Sequence, residues 1–180
     1  MNVVLHEPWT VERFLLWEDA QEGRHEFDGT QVIAMTGGSR NHQRIVSNLL
    51  RLLEDQLDPQ RFDVVQEMRV NTGKQVRYPD LSVVAGRIPG RIKTIHDALM
   101  LFEVLSDDTA ETDQGQKRAD YARLPSLRRY VLLEQDSMAA TVLVRTGEGW
   151  TEAPAGAVLD LPELGTALPL ASAYRGVEFA

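Results

Sequence analysis

The sequence predicts a single α/β domain, and three observations support this fold class. The run Ala98–Leu105 is apolar except for Glu103, which is typical of a strand buried on both faces. Apolar residues in the segment 40–57 recur with a helical period. The 180 residues, 43% of them hydrophobic, suffice for one stable core, so one domain is expected to span residues 1–180.

The N-terminal part of the chain predicts a helix followed by a β-hairpin. Thr10 suits the N-cap of a helix that runs from Val11 to about Glu18. The strand-like segments Arg24–Phe27 and Gln31–Met35 flank Asp28-Gly29, a dipeptide that favours a tight type I′ turn. These two elements should precede the main core helix, Arg40 to Leu57.

The rest of the chain predicts a second hairpin and further strands. Strands at Asp63–Val70 and Gln75–Val84 form the hairpin, and a polar loop, Gly86–Asp97, leads into the Glu103 strand. Ser106–Thr109 supplies capping residues for a helix that ends before Pro125. The remaining elements are strands at Arg129–Leu133 and Ala139–Arg145, then an edge strand and tail from Trp150.

The composition excludes several classes of site. The chain has no cysteine, so disulfides, thiolate zinc sites and cysteine nucleophiles are excluded and a reducing cytoplasm is the expected location. No apolar run approaches the roughly 18 residues of a membrane span, and no targeting segment is recognisable, so no membrane association is expected. Glycine-rich phosphate loops and the HExxH, GxSxG and EF-hand motifs are also missing from the sequence.

Positive charge is concentrated in one segment of an acidic chain. The net charge is -8, but residues 61–93 carry seven basic and three acidic side chains, a local charge of +4. A basic segment of this kind could face a nucleic acid, because a polyanion needs a local patch of positive charge on an acidic protein. A solvated loop with chance charge is the alternative. The basic residues are Arg61, Arg69, Lys74, Arg77, Arg87, Arg91 and Lys93.

Glu103 needs a partner, because an ionised carboxylate in a buried strand costs several kcal/mol unless a cation, a metal or hydrogen-bond donors compensate it. Asp80 follows Pro79, which cannot donate to a β-ladder and so marks a bulge or strand edge. Lys117 lies on a polar helical stretch after the Glu103 strand. Two strand acids and a lysine form a minimal set for magnesium-dependent hydrolysis of a phosphodiester.

Each of these residues also has an ordinary structural interpretation. Asp80 could cap a turn, and Glu103 could form a buried ion pair with an arginine. Asp113, Lys117 and Tyr121 are spaced to share one helical stripe, so Lys117 could reach the strand acids or pair with Asp113 in solvent. By itself, Glu26 is an ordinary surface acid.

His42, at the start of the core helix, could shuttle protons or simply pack.

Taken together, the motifs of the chain resemble those of the Uma-two family of restriction-endonuclease-like proteins, a branch of the PD-(D/E)XK nuclease superfamily. The resemblance extends from about Thr10 to the C-terminal tail. It depends on Arg24-His25-Glu26-Phe27-Asp28-Gly29, His42 with Ile45, Tyr78-Pro79-Asp80, Phe102-Glu103-Val104-Leu105-Ser106, Lys117 with Tyr121, and Leu127-Arg128-Arg129-Tyr130-Val131-Leu132.

The resemblance implies a fold and a set of site residues. The fold would be a restriction-endonuclease-like mixed central sheet flanked by helices, preceded by the N-terminal helix and hairpin. Asp80 and Glu103 would bind the metal, with Glu26 as a further acid near it. The superfamily lysine would stand at Leu105 but maps here onto Lys117.

One position departs from the family pattern: Gln116 stands where many relatives carry an acid.

These observations lead to three functional hypotheses. The first is a Mg²⁺-dependent endonuclease, with Mn²⁺ as a possible substitute, that cleaves DNA as a homodimer. In it, Asp80, Glu103 and the backbone carbonyl of Val104 hold the metal, Glu26 contacts it directly or through water, and Lys117 polarises the attacking water. The second is a catalytically inactive module that binds nucleic acid or a partner. The third is a carboxylate-dependent hydrolase of a non-nucleic substrate such as a glycan.

Overall fold

Three β-sheets organise the protein, which a computed structural model describes for residues 8–105 and 113–179. The helices are α1 (Val11–Glu18), α2 (Arg40–Gln56), α3 (Arg118–Tyr121), which a π-helical turn (Asp113–Lys117) precedes, and α4 (Leu170–Ala173). The strands are β1 (His25–Phe27), β2 (Val32–Ala34), β3 (Phe62–Gln66), β4 (Arg69–Asn71), β5 (Val76–Arg77), β6 (Leu81–Ala85), β7 (Thr94–Ile95), β8 (Ala98–Val104), β9 (Arg129–Leu133), β10 (Ala140–Thr146), β11 (Gly149–Pro154), β12 (Val158–Leu161) and β13 (Thr166–Pro169).

The central sheet has six strands in the order β11-β10-β9-β8-β6-β3. It is mixed, because β8 and β9 are parallel while its other strand pairs are antiparallel. A second sheet has the order β2-β1-β5-β4-β7, and β12 pairs with β13 separately. The expected α/β fold with a mixed sheet, an N-terminal helix and a hairpin is confirmed.

The strand β8 lies inside the central sheet and carries apolar residues on both faces. Met100, Phe102 and Val104 belong to the core that α2 covers. Leu101 and Leu105 belong to the core on the opposite face, where Tyr121 packs. Because side chains alternate along a strand, Glu103 lies on the same face as Leu101 and Leu105, as expected.

The N-terminal helix packs on the second sheet. The side chain of Thr10 accepts a hydrogen bond from the Arg13 amide at 3.2 Å, which confirms it as the N-cap of α1. The ring of Phe14 stacks on Phe27 of β1, with ring centroids 5.5 Å apart. Glu26, one of the predicted site residues, therefore lies on a strand that this aromatic contact anchors.

The turn of the first hairpin differs from the expected type I′ turn. A type I′ turn requires a positive φ at two adjacent residues. Gly29 has a φ of 97°, but its neighbours Asp28 and Thr30 do not have a positive φ. The side chain of Asp28 instead accepts hydrogen bonds from the amides of Thr30 and Gln31, both at 2.8 Å. Side-chain capping by Asp28 thus replaces the second left-handed residue.

The two strands of the second predicted hairpin are each divided between two sheets. β3 pairs with β6 in the central sheet, whereas β4 pairs with β5 in the second sheet. The chain crosses between the sheets at Glu67, which has a φ of 49°, and opposite it at Pro79-Asp80. The expectation that Pro79 marks a bulge or strand edge is confirmed as a strand edge, since Pro79 lies between β5 and β6.

Three further outcomes concern element boundaries. The predicted loop Gly86–Asp97 contains the short strand β7, which pairs in parallel with β4. The predicted edge strand after Trp150 is β11, while the predicted tail forms β12, β13 and α4. The expected capping segment, Ser106–Thr109, lies outside the described residues.

Candidate active site

Lys117 joins two of the predicted acids below the surface. Its Nζ lies 3.2 Å from Oε1 of Glu103 and 3.6 Å from Oε1 of Glu26. All three residues are buried, with 3% exposure for Glu103, 6% for Glu26 and 7% for Lys117. The interpretation of Lys117 as a solvent-exposed helix lysine is therefore wrong, and the partner of Glu103 includes a lysine rather than the arginine considered from the sequence.

A tyrosine also contacts the Glu103 carboxylate. The hydroxyl of Tyr121, one turn after Lys117, donates a hydrogen bond of 3.0 Å to Oε1 of Glu103. Burial, with the nearby charge of Glu103, raises the pKa of Tyr121 well above 10.0. Tyr121 is therefore a proton donor to Glu103 throughout the neutral range.

Asp80 lies beside the end of the Glu103 strand. Its Oδ2 accepts a hydrogen bond of 2.7 Å from the amide of Val104, the residue that follows Glu103. The same oxygen lies 3.2 Å from Nε2 of His42 on α2. The backbone of Asp80 is held as well, because its carbonyl accepts a hydrogen bond of 3.1 Å from the Glu67 amide.

Arg77 was not among the predicted site residues, yet it is fully buried and connects two acids. It donates to Oε2 of Glu26 at 2.9 Å and to Oδ2 of Asp120 at 2.7 and 3.0 Å. Burial alone lowers the pKa of Arg77, but the charges of Glu26 and Asp120 outweigh it and hold the pKa above its ordinary value. The sequence did contain a signal for Arg77, because it lies between Val76 and Tyr78 in a strand-like run. A charge in a buried strand needs a partner, and this argument applies to Arg77 as it does to Glu103.

The predicted acids come close together but do not form a preassembled metal site. Among residues 8–105 and 113–179, no group of three or more His, Asp or Glu side chains is arranged to hold a metal ion. Both oxygens of Glu26 already accept hydrogen bonds, Oε1 from the Tyr78 amide at 3.0 Å and Oε2 from Arg77. Glu26 is therefore held by the protein's own donors in this arrangement.

The donor set nevertheless fits a hard divalent cation. Asp80 and Glu103 offer carboxylate oxygens, the ligand type that Mg²⁺ and Mn²⁺ prefer. The hydrogen bond from the Val104 amide places the Asp80 carboxylate next to the residue that follows Glu103. Leu105, where the resemblance noted in the sequence would place a lysine, is buried in an apolar cluster. Lys117 instead supplies the cationic group to the Glu103 carboxylate.

Two basic residues of the segment 61–93 are unavailable to a nucleic acid. Arg69 is buried and pairs with Glu18 and Asp19, each at 2.7 Å, and Arg77 is enclosed as described above. The expectation that the basic segment as a whole faces a polyanion is therefore wrong for these two side chains. Arg87, Arg91 and Lys93 are exposed, although Lys93 lies 3.3 Å from Asp19.

A surface groove lined in part by Tyr78 is not basic. Its volume is about 650 Å³, and it is lined by Glu18, Asp19, Glu22 and Glu67 together with Arg24, Arg69 and Lys93. Four acidic and three basic side chains leave this groove with a formal charge of -1. It is therefore poorly suited to a polyanion.

Comparisons with known proteins identify the family and the fold. Residues 11–173 match the family model Uma2, described as "Putative restriction endonuclease". "Uncharacterized protein slr1290" from Synechocystis is 30% identical over 175 residues, which cover 93% of this chain and 92% of that protein. "Uncharacterized protein sll1609" from the same organism is 29% identical over 132 residues, covering 70% and 75%.

A solved structure shares the fold. The crystal structure of a putative nuclease belonging to DUF820 from Anabaena variabilis matches with a TM-score of 0.78 and 17% identity, covering 95% of this chain and 100% of that one. This likeness confirms the mixed α/β fold predicted from the sequence. Within the part of the chain that the structure describes, no helix is long and apolar enough to span a membrane.

Proposed function

Because the chain belongs to the Uma2 family, described as putative restriction endonucleases, we propose that it is a metal-dependent nuclease that hydrolyses phosphodiester bonds in DNA. One observation carries the proposal: Lys117 and Glu103 are paired in the interior, 3.2 Å apart, at the strand end where Asp80 also lies. A buried lysine and carboxylate at a strand end are costly for stability, and such groups are often retained for chemistry.

Asp80, Glu103 and the backbone carbonyl of Val104 would hold Mg²⁺, with Mn²⁺ as a substitute. When bound, the metal supplies a Lewis acid for the phosphate and lowers the pKa of a coordinated water. The role of Asp80 is supported by the Val104 amide and His42, which fix one carboxylate oxygen at the end of β8.

Lys117 would orient the attacking water and stabilise charge on the phosphate as it becomes pentacoordinate. The carboxylates of Glu26 and Glu103 lie 3.6 and 3.2 Å from the Lys117 ammonium group, and these two contacts restrict its position. Glu26 would then act mainly through Lys117, or through water near the metal, because its oxygens also accept from Arg77 and the Tyr78 amide.

The exposed cations Arg87, Arg91 and Lys93 would contact the DNA backbone. Two active centres are needed to cut both strands of a duplex in one binding event, so a homodimer is the expected assembly. A cytoplasmic location fits the absence of cysteine from the sequence.

A second candidate function is a catalytically inactive module that binds nucleic acid or a partner. The observation that favours it is the internal pairing of the acids: Lys117 and Arg77 already compensate Glu103 and Glu26 without a metal. In this case the paired charges of Glu26, Arg77, Glu103 and Lys117 would serve the specificity of the fold alone.

Cleavage of supercoiled plasmid DNA distinguishes the two functions. The wild-type protein should convert the plasmid to nicked or linear forms with Mg²⁺ or Mn²⁺ and should be inactive in EDTA. The Asp80→Ala variant should be inactive under all conditions while remaining folded by circular dichroism. DNA binding without metal-dependent cleavage by the wild-type protein would favour the inactive module.

A further inference from the structure

His42, on α2, contacts the Asp80 carboxylate that also accepts from the backbone of β8. Its Nε2 lies 3.2 Å from Oδ2 of Asp80, and the two side chains are only 12% and 13% exposed. His42 belongs to the first turn of α2, whose N-cap Ser39 accepts a hydrogen bond of 3.1 Å from the His42 amide. The imidazole is thus attached to a capped 17-residue helix, a rigid support.

The loop before α2 fits against the His42 ring. A Cβ atom at Gly38 would lie 2.6 Å from Nδ1 and 2.8 Å from Cγ of His42, distances that real side chains do not tolerate. At Gly37, in contrast, a Cβ atom would meet nothing within 4 Å. Glycine at 38 is therefore required for the observed ring position, whereas glycine at 37 is not.

The contacts of Asp80 are unequally divided between its two oxygens. The Val104 amide and His42 both approach Oδ2, at 2.7 and 3.2 Å. Among the residues that the structure describes, none donates to Oδ1. Two approaches to one oxygen fix the rotation of the carboxylate and leave the other oxygen available to a ligand.

We propose that His42 is a positioning residue that orients the Asp80 carboxylate for a divalent cation, and that Gly38 exists to let the imidazole reach it. The inference rests on the proposed function, because it assigns His42 to the same metal site. Groups that orient a metal ligand in this way typically change metal affinity by 10- to 100-fold when they are removed. The alternative is that His42 only fills space between α2 and the strand end.

Four variants separate positioning from packing. His42→Leu removes the polar contact and keeps bulk, while His42→Gln keeps an N–H group at about the distance of Nε2. Gly38→Ala leaves His42 in place but pushes its ring, and Gly37→Ala is the matched control, since its Cβ has open space. The measurement is the Mn²⁺ dissociation constant by calorimetric titration, with melting temperature as a separate readout of packing.

Positioning predicts a Kd for Mn²⁺ that rises at least about 10-fold in His42→Leu and Gly38→Ala. His42→Gln should recover much of the affinity, and Gly37→Ala should match the wild-type protein. A role in packing alone would lower the melting temperature of these variants without this pattern in Kd. If His42→Leu is unstable, Gly38→Ala still tests the inference with the histidine present.

The outcomes for this inference and for the proposed function differ. Wild-type protein that binds Mn²⁺, together with folded His42→Leu and Gly38→Ala variants of unchanged Kd, would overturn the inference alone. Wild-type protein that binds no Mn²⁺ and cleaves no DNA would overturn the proposed function, and with it the assignment of His42.

Discussion

The ammonium group of Lys117 lies 3.2 Å from Oε1 of Glu103, so a helix residue compensates the only carboxylate of the most apolar strand. Both residues are buried, and Tyr121 donates to the same oxygen. Because a charge removed from water is stable only when paired and hydrogen-bonded, each of these groups depends on the others. The predictions for this region therefore concern stability as well as catalysis.

Replacement of either proposed metal ligand by its amide should abolish metal-dependent cleavage. Glu103→Gln and Asp80→Asn keep shape and most hydrogen bonds but remove the negative charge that binds a cation. We expect folded proteins by circular dichroism and no plasmid cleavage with Mg²⁺ or Mn²⁺. Asp97→Asn, at an exposed carboxylate, serves as the control and should retain activity. Full activity of either site variant would reject that residue as a ligand.

Lys117→Met should lower turnover without removing metal binding. It takes away the cation between two buried carboxylates, so we also expect a loss of about 3–5 kcal/mol in the free energy of unfolding near neutral pH. Urea unfolding and single-turnover cleavage measure the two effects. Arg118→Met, at a neighbouring and more exposed position, is the control and should change both much less. Wild-type stability of Lys117→Met would contradict the buried pairing.

Glu67 should carry measurable backbone strain, because its φ of 49° lies in the left-handed region. Glu67→Gly should be more stable than Glu67→Ala by about 1 kcal/mol, since only glycine adopts this region without cost. Both variants remove the exposed ion pair with Arg24, so their difference isolates the backbone. Urea unfolding provides the comparison, and equal stability of the two variants would mean that the strain is relaxed in solution.

Alkaline pH should destabilise the protein through its buried tyrosines. Burial raises the pKa of Tyr78, Tyr121 and Tyr174 above 10.0 in the folded state. The native protein therefore binds more protons than the unfolded chain above the ordinary tyrosine pKa, so the free energy of unfolding falls as pH rises through that range.

Tyr121→Phe tests the sign of this effect. At neutral pH the variant should be less stable by about 1 kcal/mol, because it cannot form the hydrogen bond to Glu103. That deficit should shrink from about pH 9 to about pH 11, because ionisation of the Tyr121 hydroxyl in the unfolded chain favours unfolding and the variant lacks this group. Urea unfolding across this range decides the matter, and a deficit that grows with pH would contradict the raised pKa.

The exposed part of the basic segment should contribute to DNA affinity. Replacing Arg87, Arg91 and Lys93 by serine should weaken binding and reduce the slope of log K against log salt, by about 0.9 for each phosphate that is no longer neutralised. A triple variant of exposed arginines outside the segment, R51S/R128S/R175S, carries the same charge change as the control. Equal effects of the two triple variants would assign binding to net charge rather than to this surface.

The sequence by itself determined some of the secondary-structure elements and showed that one buried charge, Glu103, needs a partner. The period of the segment 40–57 predicted α2, the apolar run 98–105 predicted β8, and Pro79 predicted a bulge or strand edge, which lies before β6. Glu103 could be recognised as a buried charge because its apolar neighbours are adjacent in the chain. These are local properties, and a linear pattern is enough to reveal local properties.

Only the tertiary structure decided which groups meet. Arg77 and Asp120 are 43 positions apart, and His42 and Asp80 come from a helix and a sheet crossing, so no spacing rule joins them. The basic segment shows the same limit, because counting charge along the chain cannot tell that Arg69 and Arg77 are buried in ion pairs while Arg87 and Arg91 are exposed. Burial and pairing depend on how the two sheets are arranged around residues 67 and 80, and that arrangement is a property of the folded chain.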